Sequence, residues 1–431
     1  VRVSIDRNWC LIFIGRFRSR YTRIGWFLYE WLLGRTLLIP DLKQGNYIPL
    51  LDPEKYVALP RETGAISEKR QRIINNLTGT PSYSPTIRRT ETLRRFEEML
   101  LDKRARDLVE KYPPEFLYRA AHYLYMKETR SSYAIEHITI EDQGRTARFV
   151  ALLRQAGSLD CFNEATLINL QNAIVDQRYA ARGFRDFQNY VGQSLTPTRE
   201  IVHFVPPQPE DLPELMAGWM QTCRRLQKAN VHPVVSAGVA GFGFVFLHPF
   251  DDGNGRLHRF LIHHVLAAAK FTPAEMIFPV SATMLRQMHR YDAALEAYSR
   301  EIANHVRYRL DDAGEMEVTN ETGRLYCYPD LTTQVEALFG FIEETIEKEL
   351  RTELEYLAVF DSARARLRDV VDMPDRRLDL FIRLCIQGKG HLSKAKRATF
   401  GELNDEEYRS MEMIILDALS QLPRDGEDRE E

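Results

Sequence analysis

Between Pro233 and Ala269 the chain runs apolar, breaks once at a short polar loop, and turns helical again, and this break limits the fold more than any other stretch. The loop holds Gly253-Asn254-Gly255. Glycine accepts positive φ without steric cost and Asn tolerates it better than most residues, so a tight turn is predicted there. Arg256 to Ala269 contains no Gly or Pro and carries apolar residues at 257, 260, 261 and 265, which is helical spacing. The turn therefore opens a helix. The preceding run, Pro233 to Leu247, also reads as a helix but contains Gly238, Gly241 and Gly243. Each interior glycine costs about 1 kcal/mol relative to Ala, so close packing against a neighbour is the expected offset.

The loop, His248-Pro249-Phe250-Asp251-Asp252-Gly253-Asn254-Gly255-Arg256-Leu257-His258-Arg259, has the parts of a phosphate site. Unpaired N–H groups and the positive dipole end at a helix start favour an anion. Arg256 and Arg259 are three apart, on one helix face, and can grip one phosphate chain. Asp252, one residue before the turn, suits Mg²⁺, with phosphate oxygens and waters as its other ligands. His248 titrates near neutrality and can accept the proton of an attacking hydroxyl. Pro249 enforces an extended residue before it, and Phe250 is expected to plug the core. Taken singly, each feature has an ordinary explanation: a turn, a loop, a solvated basic face. Two metal readings fail. An EF-hand loop needs Gly at its sixth position, and His258, His263 and His264 lack the i, i+4 spacing of a helical zinc pair.

At 431 residues the chain is long enough for two or three domains, and 44% hydrophobic with 28% charged residues and a net charge of -3 describes a globular protein without basic bias. Nucleic acid is not implied by charge. Cys10, Cys161, Cys223, Cys327 and Cys385 are scattered, which points to a reducing, cytoplasmic setting without disulfides. The first forty residues alternate apolar patches (Trp9 to Ile14, Trp26 to Tyr29) with arginines 16, 18, 20 and 23. No run there is long enough to span a bilayer. Residues 86 to 111 read as one charged helix and Glu115 to Thr129 as another, with Ser131 or Ser132 N-capping a short helix that carries Glu136 one turn in. Val306 to Tyr328 suggests a β-hairpin around Asp312-Ala313-Gly314, residues 331 to 370 look helical, and Arg377 to Leu419 suits a three-helix unit.

The loop resembles, position for position, the signature of the Fic family, HxFx(D/E)GNGRxxR. The resemblance extends over roughly residues 110 to 305, because Ile201-Val202-His203-Phe204-Val205 and the Pro-rich stretch after it are similar to that family's β-hairpin flap. It implies a mainly α fold: a Fic-type helical bundle with a small β-hairpin flap, plus a helical C-terminal extension containing a β-hairpin. Residues 1–85 are then an N-terminal extension, 86–305 the catalytic domain with an inhibitory helix near 131–137, and 306–431 a C-terminal helical region. By the same resemblance His248 is the base, Asp252 the Mg²⁺ ligand, and Gly253, Asn254 and Gly255 the nest around the phosphates. Arg256 is a phosphate clamp, Arg259 the partner of the γ-phosphate, and Tyr291 the aromatic against adenine. The implied reaction is AMP transfer from ATP to a Ser, Thr or Tyr hydroxyl of a protein, the chain itself included. A second family motif, (S/T)xxxE(G/N), is matched by Ser132 to Glu136, with His137 departing at the sixth position. It implies that Glu136 pairs with Arg259 and blocks the γ-phosphate. The flap strand, Ile201 to Val205, is expected to pair with a target peptide through its edge. No membrane partner is expected, and self-association is left open. Relatives with such a brake also hydrolyse the AMP they attach, so a bifunctional enzyme is one alternative. The other is a DNA-binding regulator using Lys394, Lys396 and Arg397, against which Glu402, Asp405, Glu406 and Glu407 would repel phosphates.

Overall fold

The computed structural model describes residues 19–138, 143–196, 199–311 and 314–421, and within them the chain is mainly helical. Trp9 to Ile14, Cys10, Arg16, Arg18 and the Asp312-Ala313 turn lie outside the described residues. Helix α1 (Arg20–Leu33) starts at Ser19, whose hydroxyl accepts from Thr22 N, and ends at Gly34 with φ 60°. Its Phe27 packs on Leu50 and Ile73 of a small sheet in which β1 (Ile48–Pro49), β2 (Ile66–Glu68) and β3 (Ile73–Asn75) lie in the order β1-β3-β2. These strands are too short to show a period-two pattern, and no sequence signal marked them.

The predicted helix over 86–111 is two helices, α2 (Glu91–Glu98) and α3 (Leu101–Val109), because Leu100 turns left-handed with φ 49°. A second correction concerns the region before the loop. Helix α4 runs unbroken from Pro114 to Ile135, so Ser131 and Ser132 lie inside it, buried, and cap nothing. Glu136 is its C-cap. The segment contains no Gly or Pro to stop it, and Ser132 has a tertiary partner for its hydroxyl. His137 follows with φ 56°, the C-terminal position at which Gly or Asn is favoured and His is tolerated.

Helices α5 (Gln143–Arg154) and α6 (Glu164–Ile174) lead to the hairpin of β4 (Val191–Thr196) and β5 (Arg199–Phe204), paired antiparallel with Gly192 opposite Val202 and Gln193 opposite Ile201. Next come α7 (Leu212–Lys228), α8 (Pro233–Leu247), α9 (Asn254–Ala268), α10 (Val280–Arg286) and α11 (Met288–Ala303). Almost every residue of α8 is buried, and it forms the axis of the main core. Its glycines explain how. A Cβ on Gly241 would stand 2.8 Å from Ile262 Cγ1 and 3.0 Å from His258 Nδ1 of α9, and one on Gly238 would stand 2.8 Å from Val335. The backbones approach closely enough that no side chain fits between them.

The second hairpin is shorter than the sequence suggests: β6 (Tyr308–Leu310) pairs with β7 (Met316–Val318), and α12 (Gly323–Cys327) occupies the rest of the stretch. Helix α13 (Thr332–Glu344) passes through a π-helical turn at Thr345–Leu350 into α14 (Arg351–Leu367). Apolar packing is continuous from Val57 to Leu354 and then changes to a separate cluster from Val359 to Ala418. That second cluster unites the end of α14 with α15 (Asp375–Gln387), α16 (Lys394–Arg397) and α17 (Asp405–Ser420). Two of its arginines are paired with carboxylates: Arg397 with Glu412 at 3.1 Å, and Arg377 with Glu402. No helix of the described residues is long and apolar enough to cross a membrane.

Burial depresses several imidazoles from the ordinary 6.5: His232, His248 and His264 to about 4, and His258 to about 3. Since their folded pKa lies below the unfolded value, the stability they contribute is complete above pH 6.5 and is lost as the pH falls toward 4. The melting temperature should therefore be level above about pH 7 and drop steadily between about pH 6.5 and 4. A melting temperature that stays constant from pH 7.5 to 5 would refute this.

Candidate active site

The signature loop joins the C-terminus of α8 to the N-terminus of α9, and each end has a reason. His248 caps α8 in a left-handed conformation, φ 49° and ψ 57°, with its N–H donating to Phe244 O. Gly253, with φ 88°, caps α9. Between them the Asn254 side chain closes the loop: its Oδ1 accepts from Phe250 N at 3.0 Å and its Nδ2 donates to Phe250 O at 2.7 Å. Phe250 is fully buried, as its place in the sequence suggests. The first N–H groups of α9 have no acceptor within the helix.

His248 is partly exposed, and its Nδ1 lies 3.2 Å from Val245 O. A carbonyl can only accept, so Nδ1 carries the hydrogen and Nε2 keeps its lone pair. Burial draws the pKa down to about 4, the Val245 bond opposes this, and Arg185 lowers it further. The ring is neutral at neutral pH and able to take a proton.

Two helices then meet rung by rung. On α4, Glu128, Ser132 and Glu136 follow at intervals of four and share one face. On α9 the facing residues are His263, Arg259 and Arg256. The lowest rung is Glu128, 1% exposed, 2.7 Å from His263 Nε2 and also accepting from Ser281 N at 2.9 Å. Burial opposes ionisation of Glu128, but His263 and Ser281 outweigh it and hold the carboxyl below its usual range. In the middle rung, Arg259 donates from Nε to Ser132 Oγ at 2.8 Å and from Nη2 to Ser132 O at 2.7 Å. The top rung is ionic: Glu136 Oε1 lies 2.6 Å from Arg259 Nη2, and Oε2 lies 2.7 Å from Arg256 Nε. The latter contact is off the N–H axis, so it is an ion pair without a hydrogen bond.

Glu136 also covers the turn. A Cβ on Gly255 would stand 2.5 Å from Glu136 Oε1, so the carboxylate rests against the helix start, where an anion is favoured. Arg256 is fully buried, donates to Ile174 O at 2.9 Å and pairs with Asp252 Oδ1 at 2.6 Å, and its guanidinium lies 5.2 Å from the Tyr133 ring centre. Asp252 Oδ1 accepts from Gly253 N as well, and the side chain keeps 41% of its surface exposed. Among the described residues no three His, Cys, Asp or Glu side chains cluster as metal ligands. One solvent-reaching carboxylate fits Mg²⁺, which keeps waters and takes most other ligands from phosphate.

Tyr291 is brought to the site in a different way from that expected. It is 4% exposed, its ring lies against His258 and Phe341, and its hydroxyl bonds Arg259. In this packing the Tyr291 hydroxyl supports Arg259. The flap also divides. Ile201 is 40% exposed and His203 is exposed, whereas Phe204 and Val205 are core residues, with Phe204 against Phe246, Tyr298 and Tyr326. Between Ile201 and His203, Val202 is half-buried against the core.

Sequence reasoning missed three supports. Gln171 is fully buried and donates to both Tyr179 O and Asp252 O, tying α6 to the loop. The buried Tyr133 hydroxyl bonds Ile174 O. Arg185 grips the His248 carbonyl at 2.9 Å. Gln171 and Arg185 lie in no local pattern, and Tyr133 falls at an unspecified position of the Ser132 to Glu136 motif. A cavity of about 980 Å³ lies elsewhere, between α4 and α5 with Met126, Arg130 and Val150 in its wall, and touches no signature residue.

Residues 161–266 match the Fic/DOC family. A protein adenylyltransferase Fic of Culex quinquefasciatus is 33% identical over 134 residues, 30% of this chain and 22% of that protein. One from Drosophila sechellia is 36% identical over 168 residues, 38% of this chain and 30% of that protein. The chain thus spans less than a third of the length of the curated relatives it matches. A Fic family protein from Desulfovibrio desulfuricans of known structure shares 18% identity, with a TM-score of 0.43, over 75% of this chain and 89% of that one.

Proposed function

We propose that this chain, which carries a Fic domain over residues 161–266, is a protein adenylyltransferase that moves AMP from ATP to a protein hydroxyl and is held off by its own Glu136. The observation that carries the reading is the double ion pair of Glu136 with Arg256 and Arg259 at the start of α9. Two buried guanidinium groups and a helix N-terminus make a receptor for an anionic chain, and the carboxylate stands in for phosphate. The protein's own residues then divide the work. His248 Nε2 takes the proton from the attacking Ser, Thr or Tyr oxygen. That oxygen bonds the α-phosphorus, the bond to the bridging oxygen of pyrophosphate breaks, and the proton passes from His248 to solvent. The N–H groups of Asn254 and Gly255 receive the phosphates near Gly253, Arg256 clamps the chain, and Arg259, propped by Tyr291 and Ser132, takes the γ-phosphate once Glu136 withdraws. Asp252 would hold Mg²⁺, which offsets charge on the phosphate oxygens when bound. Ile201 to His203 offer a strand edge to the target. Residues 86–305 form the catalytic unit in this reading, with Ser132 and Glu136 as the brake and self-modification as one outcome.

The test is incubation of purified Glu136→Gly protein with Mg²⁺ and ATP, UTP, GTP or CTP, each labelled on the α-phosphate. Covalent label on protein hydroxyls, strongest with ATP, is expected. No label on protein while ATP binds would sink the reading, as would label entering protein in a parallel incubation with γ-labelled ATP and not from α-labelled ATP.

A further inference from the structure

Arg185 belongs to no motif, lies between α6 and the flap, and is 6% exposed. Its guanidinium donates only to main-chain carbonyls: Nε to His248 O at 2.9 Å, Nη1 to Phe187 O at 2.8 Å, and Nη2 to Pro207 O. Its own N–H donates to Pro249 O at 2.9 Å. Its neighbours repeat the pattern, with Gln188 Nε2 reaching Pro206 O and Asn189 Nδ2 reaching Phe250 O, each at 3.2 Å. Among the described residues no carboxylate forms an ion pair with Arg185. A buried cation without an ion-pair partner is costly, and a neutral side chain could not reach three carbonyls with one planar fork.

The carbonyls it joins matter. His248 is a non-glycine residue held at φ 49°, a conformation the chain does not favour by itself. Its N–H is fixed by Phe244 O at the end of α8, and its carbonyl by Arg185. With both ends of the residue held, the direction of its side chain is set. Pro206 and Pro207 stand immediately beyond β5, so the same fork ties the base of the flap to the base residue.

We propose that Arg185 is a positioning residue for the reaction: it pins His248 in its left-handed conformation and fixes the spacing between its imidazole and the target-binding strand. The proposal rests on the reading of His248 as the base. Arg185 touches no reacting atom. Its loss should therefore lower kcat and leave nucleotide binding alone.

Arg185→Met and Arg185→Lys are made in the Glu136→Gly protein, and kcat, KM for ATP and ATP affinity are measured alongside thermal melting. Arg185→Met should lower kcat about 30- to 100-fold with KM for ATP changed less than about twofold, because a misaimed base costs rate and not binding. Arg185→Lys should recover about a third to a tenth of the parent kcat, since one ammonium can hold the His248 carbonyl but not all three. A folded Met variant with kcat within about threefold of the parent overturns the proposal, as does a loss of kcat matched by an equal loss of ATP affinity. If the Met variant does not fold, the Lys variant decides: lowered kcat at constant KM supports the proposal, and unchanged kcat overturns it. Failure of the base assignment is separate, for it would show as transfer retained by His248→Ala whatever Arg185 does.

Discussion

His248→Ala, introduced into the Glu136→Gly protein, is expected to slow AMP transfer about 100- to 10,000-fold while leaving ATP affinity within about twofold, the range that a positioned general base contributes. The reason lies in the tautomer. Nδ1 is committed to Val245 O, so Nε2 is the nitrogen with a lone pair, and its depressed pKa of about 4 keeps it neutral at any working pH. The loop's other imidazole, His258, is neutral but fully buried against Phe242 and Tyr291, while Asp252 is bound to Arg256 and Gly253 and Asn254 is spent on Phe250. Affinity is spared because the phosphate receptor, α9 with Arg256 and Arg259, does not include the imidazole. The measurement is single-turnover incorporation of α-labelled ATP, with calorimetry for binding. Transfer within about tenfold of the parent would show that the proton leaves by another route.

Glu136→Gly is expected to move stability and activity in opposite directions. Removing the carboxylate leaves Arg256 and Arg259, both almost fully buried, without their shared partner. Breaking a buried pair from one side costs about 3 to 5 kcal/mol, and because Glu136 keeps 23% of its side chain exposed, a loss of about 1 to 3 kcal/mol is the expected figure. The same vacancy opens the helix start to nucleotide. An internal brake of this kind commonly has a coupling of about 1 to 3 kcal/mol, so ATP affinity and self-labelling should rise about 5- to 150-fold. The ATP-induced rise in melting temperature should consequently be larger in the variant than in the parent. Equal labelling and equal thermal shifts in the two proteins would place the brake elsewhere.

The features legible in the sequence are those encoded within a few residues. Gly253 takes φ 88°, α9 starts at Asn254, Phe250 fills the core, and the three glycines of α8 mark close packing against neighbouring elements, each as its residue type suggests. The Ser132 to Glu136 motif was legible as a string but not as a structure. Ser132 sits mid-helix and receives Arg259 across 127 positions of sequence, and Glu136 meets both arginines from the end of a helix that a local reading would have stopped at Thr129. Tyr291 was found by its neighbourhood, but its bond to Arg259 was not legible, since an aromatic on an amphipathic helix does not disclose what its hydroxyl meets.

From the chain alone one could know the kind of chemistry: a turn that opens a helix, two cations on one face, a carboxylate and an imidazole beside them. These follow from backbone torsion and the helical repeat, which a dozen residues decide among themselves. Only the folded protein decided what those groups touch. Arg185 holding His248, Gln171 holding the loop, and Glu136 resting on Arg259 at the start of α9 join residues 63, 81 and 123 positions apart. Such contacts depend on how the whole apolar core packs and on which buried charges it leaves to be satisfied, and no local pattern carries that information.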